Sequence, residues 1–178
     1  MKHVDMTNVQ EAGEFKKVEA GPYICVITNV EDVPEKEYLK VTYDIAAGEL
    51  AGYYNDTRAK FPDWAWCGAY VKSYKQKALP MFKRFCSAIS KSNGNFVFDG
   101  GSVNADEKSL IGKKLGIVFQ EEEYYGNDGN IKTRLIVNRE FPIDKLTDQK
   151  VPKRICLEEE PATNTNTFTA ASSEEVPF

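Results

Sequence analysis

Apolar and polar positions alternate with period two over Tyr38–Ala46, and the pattern switches to a helical period near residue 79. Gly21-Pro22 opens a strand expected over Tyr23–Val30, which is rich in β-branched residues. Glu31–Glu37 reads as a turn containing Pro34. Tyr38–Ala46 then alternates cleanly, with Leu39, Val41, Tyr43 and Ile45 on one face and Tyr38, Lys40, Thr42 and Asp44 on the other. Ala47-Gly48 closes it, and Tyr53–Asp56 reads as a short third strand or a loop. From Leu79 onward, Ala78, Phe82, Phe85, Cys86 and Ile89 recur at helical spacing. Pro80 is tolerable in a first turn, and Asn93-Gly94 supplies the stop. Phe96–Phe98 is a short extended piece before Asp99-Gly100-Gly101. The turn Gly112–Lys114 leads into a strand over Leu115–Tyr125, and the Gly126-Asn127-Asp128-Gly129 loop joins it to Ile131–Val137 as a hairpin.

Three strands, a helix and a hairpin match the order of the OB-fold, a five-stranded Greek-key barrel with its helix between strands 3 and 4. Other small mixed β barrels give the same string. The expectation is a mainly β protein: a flexible N-terminus over 1–13, one OB domain over 14–156, and a disordered acidic C-terminal tail over 157–178. The tail is low in complexity, rich in Thr, Ser and Asn, and too poor in large apolar residues to offset its ordering entropy. At 42% hydrophobic and 12% aromatic, the whole chain has enough material for one core.

Charge changes this picture more than composition does. Residues 1–50 carry 5 basic and 10 acidic side chains, 51–100 carry 8 and 3, 101–156 carry 10 and 9, and 157–178 carry none and 5. The net charge of −4 therefore hides a folded part that is nearly neutral, with a basic middle and an anionic end. An acidic average does not argue against a nucleic-acid partner.

Several chemistries are disfavoured. Cys25, Cys67, Cys86 and Cys156 have no Cys-x-x-Cys spacing and the single histidine is His3, so neither a zinc site nor histidine-dependent nucleophilic catalysis is expected. The thiols are expected to be reduced and mostly buried. No P-loop is present. The acid run Glu121-Glu122-Glu123 points to alternating faces of a strand, which makes a poor metal site, and reads as a solvated edge. No catalytic constellation, cofactor or metal is expected. The longest apolar runs, Tyr23–Ile27 and Leu115–Phe119, fall far short of the ~20 residues of a membrane span, and the N-terminus has no apolar signal region. A cytoplasmic protein is expected.

The basic middle is also the aromatic one. Nine aromatics lie between Tyr53 and Phe85, including both tryptophans, and eight basic residues lie between Arg58 and Lys91 against one acid, Asp63. Unpaired nucleic acid calls for this mixture: cations follow the phosphates, and flat rings stack on bases at about 1–3 kcal/mol per base. Phe82 and Phe85 belong to the helix's core stripe, and Tyr70 and Tyr74, four apart, read as a helical pair. The candidate nucleic-acid contacts are Tyr38 and Lys40 on the outward face of the second strand, Tyr53, Tyr54, Arg58, Lys60, Trp64, Trp66, Lys72 and Lys75, and Arg134 on the last strand.

The chain ends Glu174-Glu175-Val176-Pro177-Phe178. One pocket can read these together, an apolar slot taking the ring and a basic rim the carboxylates. An acidic tail ending Pro-Phe resembles the tip of bacterial and phage single-stranded DNA-binding proteins. The folded part is similar to one group of these, the phage-encoded OB-fold single-strand binders found beside recombination genes. The resemblance rests on Gly21-Pro22-Tyr23, the Tyr38–Ala46 strand, the Phe-rich helix from Leu79 to Ser92-Asn93, and Leu110-Ile111-Gly112-Lys113 before the hairpin. Two glutamates stand where that tip usually carries several aspartates, and Val176 where it carries a bulkier aliphatic. The resemblance implies a protein of the bacterial host cytoplasm that coats single-stranded DNA during phage replication or recombination. It also implies docking of host or phage replication and recombination proteins through the tip, without bond-breaking chemistry. One OB domain covers roughly 4–16 nucleotides, so a homo-oligomer or cooperative neighbours would be needed for tight coating. The alternatives are an OB-like protein–protein adaptor and a strand-annealing protein.

Overall fold

The structure is a computed structural model and describes residues 4–5, 7, 16–64, 66–100 and 106–157. Five antiparallel strands form a single sheet: β1 (Gly21–Val33), β2 (Tyr38–Ile45), β3 (Ala69–Ser73), β4 (Lys114–Tyr125) and β5 (Ile131–Phe141), in the order β3-β2-β1-β4-β5. Helix α1 (Tyr53–Lys60) lies between β2 and β3, and α2 (Leu79–Ser92) between β3 and β4. The protein is mainly β, as expected, with a helix between the third and fourth strands. The expected tail, apart from Leu157, and the expected flexible N-terminus, apart from Val4, Asp5 and Thr7, lie outside the described residues.

The alternation read in β2 is the packing observed, because Leu39, Val41, Tyr43 and Ile45 are all buried. In β1 the buried interval lengthens from two to three, Cys25 and Ile27 being followed by Val30. The register with β2 shifts between Ile27 and Asn29, a bulge that turns the rest of the strand. Helix α2 lays Phe82, Phe85, Cys86 and Ile89 on this face of the sheet. Asn93 ends α2 by donating from Nδ2 to the carbonyls of Ile89 and Lys114, both at 2.7 Å, and its Oδ1 accepts from Lys114 N at 3.0 Å. The residue that stops the helix thus also hooks the start of β4. Leu115, Ile117 and Phe119 complete the core. On the other face of β4, the Phe141 ring lies against Gly116 and leaves no room for a Cβ there.

Three expectations are corrected. The third strand is Ala69–Ser73, while Tyr53–Asp56 is the start of a helix. Tyr70 is therefore a strand residue, and Tyr74 follows that strand with its hydroxyl on Asp32 at 2.8 Å, so the two do not form a helical pair. The sheet is also not a closed barrel. β3 and β5 are its two edges and share no backbone ladder. A side-chain pair joins them instead, Lys72 Nζ on Glu140 Oε1 at 2.6 Å, with only 9% and 1% of the two side chains exposed.

Of the four free cysteines, only Cys25 and Cys86 are buried, so the thiols are less sequestered than expected. Burial pushes Cys25 far up and Cys86 to about 11, which keeps both protonated and unreactive. No helix among the described residues is long and apolar enough to cross a membrane.

Candidate nucleic-acid interface

The aromatic stretch is displayed by a loop whose anchors come from β2 and α1. Helix α1 starts at Gly52, which has a φ of 83° and no side chain with which to cap. The carboxylate of Asp44, at the end of β2, does this from a distance. It accepts from Tyr54 N at 2.9 Å and Asn55 N at 3.2 Å, and also from Ile45 N at 2.8 Å. A negative charge against the free amides of a first helical turn stabilises it. The alternation placed Asp44 on the outward face; it is 2% exposed because α1 covers this end of β2.

At the other end of α1, Arg58 Nη1 donates to the carbonyls of Cys67, at 2.8 Å, and Tyr43, at 3.3 Å, while Nη2 bonds Asn55 Oδ1. The loop from Phe61 to Gly68 runs back to the sheet, where Tyr43 N donates to Gly68 O at 2.8 Å. Gly68 has a φ of 64°, and a Cβ there would lie 2.7 Å from both the Arg58 guanidinium and the Tyr54 ring. Only glycine lets the loop settle on these two side chains.

This loop carries both tryptophans, each 56% exposed. Trp64 is stacked on Phe61, with ring centroids 4.6 Å apart and planes 16° from parallel. Trp66 has the Lys40 ammonium 4.7 Å from its ring centroid. One ring is thus backed by another ring and one by a cation, and both remain open to solvent.

The tryptophans border a groove of about 900 Å³ along the opening between β3 and β5. Tyr53, Tyr70 and the tryptophans line it on one side, and Arg134, Leu135 and Val137 of β5 on the other. A second cavity of about 340 Å³ shares Lys17, Val18, Arg134 and Leu135 with it and reaches Arg154. The Cys67 thiol also lines the larger groove, and burial holds it above its ordinary value, hence neutral. Arg134 is 5.0 Å from the Tyr124 ring and is held by Glu122, at 2.8 Å through Nε and 2.6 Å through Nη2.

The structure brings together Lys40, Tyr53, Trp64, Trp66 and Arg134 of the candidate residues. Tyr38 shares the outward face of β2 with Lys40 and sits opposite Ser73. Tyr54 borders the groove but is 9% exposed, its ring edge-on to Tyr43 and Phe119. Lys60 and Lys75 are exposed and line neither cavity. Lys72 is buried on Glu140, and the fork of Arg58 points at carbonyls of its own chain, so neither presents its charge to the groove. The tip residues Glu174–Phe178 lie outside the described residues.

The acid run is corrected as well. It is not a bare edge, because Ile155 pairs with β4 there, donating to Glu121 O and accepting from Glu123 N, both at 2.9 Å. Its side chains alternate as expected, but between two arginines: Glu121 and Glu123 on Arg154, Glu122 on Arg134.

Residues that the sequence reading passed over are Phe61, Lys17, Leu135 and Val137. The Phe61-x-x-Trp64 spacing on either side of a turn was a usable signal for the first. Lys17 sits in the acidic first third, and nothing local marks it. Among the described residues no three His, Cys, Asp or Glu side chains cluster as metal ligands would. The sequence matches no protein-family model and no curated protein.

Proposed function

We propose that this chain is a sequence-independent single-stranded DNA-binding protein whose unpaired bases lie along the opening between β3 and β5. The observation that carries this is the pair of half-exposed tryptophans on a braced loop beside that groove, with Lys40 at one ring and Arg134 across from it. Stacking needs free base faces, which a duplex does not offer, and every base has one. That accounts for a preference for single strands and indifference to sequence. Strand order supports the OB reading: β3-β2-β1-β4-β5 is the order of a five-stranded Greek-key barrel left partly open.

In this reading, coating of exposed strands during phage replication or recombination is the activity, and no bond is broken. The Glu174–Phe178 tip brings in partner enzymes. Tight coating requires a dimer or cooperative neighbours.

Titration of the full chain with oligo(dT) tests this. Tryptophan emission should be quenched as DNA binds, a duplex of equal length should bind more weakly, and log Kd should rise with log salt at a slope of about 3, corresponding to roughly four phosphates at ~0.7 each. Absence of binding at low salt, or binding with unchanged tryptophan emission, would remove the groove from consideration. The first result would favour the adaptor, and the second would place the DNA on another surface.

A further inference from the structure

We infer that Arg58 is the positioning residue of the tryptophan loop, acting on DNA through Trp64 and Trp66 and not through a phosphate; this rests on the proposed single-strand activity. The β2–β3 ladder ends at the pairing of Thr42 with Ala69. Just beyond it two backbone carbonyls, those of Tyr43 and Cys67, face the Arg58 guanidinium, and both accept from Nη1. Nη2 is tied to Asn55 on the same helix. The planar fork thus extends the sheet by one side chain, clamping the C-terminal stem of the loop to β2 and α1. An arginine gripping a phosphate offers its two parallel N–H groups outward. Here those groups are turned inward, in a stretch where sequence alone puts Arg58 among the phosphate-binding cations.

Three features depend on this clamp. Gly68 packs on the guanidinium at a distance that leaves no room for a Cβ. Trp66 lies one residue before Cys67, so the bond to Cys67 O fixes where that ring meets Lys40. Cys67 N in turn donates to Trp64 O at 2.9 Å, which carries the constraint to the second ring. Lysine cannot replace the arginine, since an ammonium is a compact point donor without the fork that spans two carbonyls and an amide.

The test compares Arg58→Lys, Arg58→Gln and Asn55→Ala with the wild-type full chain. Asn55→Ala removes one partner of the fork and leaves charge and backbone bonds intact, so it remains informative if the arginine variants unfold. In the free proteins, tryptophan anisotropy should fall and acrylamide quenching rise, even where the urea midpoint is little changed. With oligo(dT), Arg58→Lys and Arg58→Gln should both bind about tenfold more weakly, the loss of roughly one base stack, and Arg58→Gln, which removes the charge, should do so at an unchanged salt slope. A slope shallower by ~0.7 with unaltered tryptophan signals would mean that Arg58 contacts a phosphate, and would overturn the inference. So would variants whose free tryptophans behave as in the wild type. If the wild type itself ignores oligo(dT), the single-strand reading fails, while the anisotropy of the free proteins still decides whether Arg58 holds the loop.

Discussion

Trp64 and Trp66 differ in what stands behind them, and this separates their expected contributions. Phe61 backs Trp64 with a parallel ring, whereas the Lys40 ammonium lies over Trp66. Replacing either tryptophan by Ala should weaken oligo(dT) binding by about 1–3 kcal/mol, read by titration at fixed salt. The supporting residues should divide by salt dependence. Lys40→Ala removes a cation from the Trp66 site and should make the log–log salt slope shallower by ~0.7, with Kd increased at low salt. Phe61→Ala removes only a stacking platform and should raise Kd at an unchanged slope. Equal slopes for the two variants would mean that Lys40 does not meet the phosphates. At this scale the sequence was informative about residue type and silent about pairing. Tryptophans set among cations are visible in the string. That Lys72 is buried is not, because its partner Glu140 is 68 residues away. The pattern also exposes Asp44, which only the helix packed over it buries.

Among the elements, the opening between β3 and β5 is held by chemistry unlike that of the rest of the sheet. Lys72 and Glu140 replace the backbone ladder, and the buried Tyr70 hydroxyl lies beside the same carboxylate. Removing one member of such a pair leaves a buried charge and typically costs about 3–5 kcal/mol, whereas replacing both by apolar residues is often neutral or stabilising. Lys72→Met should therefore lower stability by about that amount in urea unfolding, and Lys72→Met with Glu140→Leu should recover most of it. If Lys72 served DNA instead, Lys72→Met would leave stability alone and flatten the salt slope. The same scale shows which elements the sequence reveals. β1, β2, α2 and the β4–β5 hairpin each carry their own periodicity and their own stop: the Gly21 opening, Pro34, Asn93 and the Gly126–Gly129 turn. Helix α1 carries neither, since its apolar residues form no stripe and its cap comes from Asp44, ten residues before Tyr54. β3 is five residues long, and the Tyr70–Tyr74 spacing imitates a helical pair. Where an element is defined by tertiary partners, local pattern has nothing to report.

Over the whole molecule, the decisive feature is the separation of charge. Residues 51–100 hold 8 basic and 3 acidic side chains, and the last 22 residues hold 5 acidic and none basic. A tethered anionic segment is present at high local concentration near any cationic surface of its own chain, so under the proposed single-strand binding it should compete with DNA phosphates for the same cations. Removing Leu157–Phe178 should therefore tighten oligo(dT) binding several-fold at low salt. The gain should vanish at about 0.3 M salt, where screening acts over less than 10 Å. Removing only Glu174–Phe178 deletes two of the five charges and should give a correspondingly smaller gain, while abolishing capture by any partner that reads the Phe178 ring and its flanking acids as one unit. The two truncations thus separate charge from recognition. DNA affinity should scale with the number of acids removed, whereas partner capture should be lost in full with the last five residues. The measurement is Kd for oligo(dT) at two salt concentrations for the three chain lengths, alongside binding of the immobilised full-length and truncated proteins to purified replication and recombination enzymes. Truncation that destroyed DNA binding would show that the tail is part of the binding surface, and the division of labour between groove and tip would not stand.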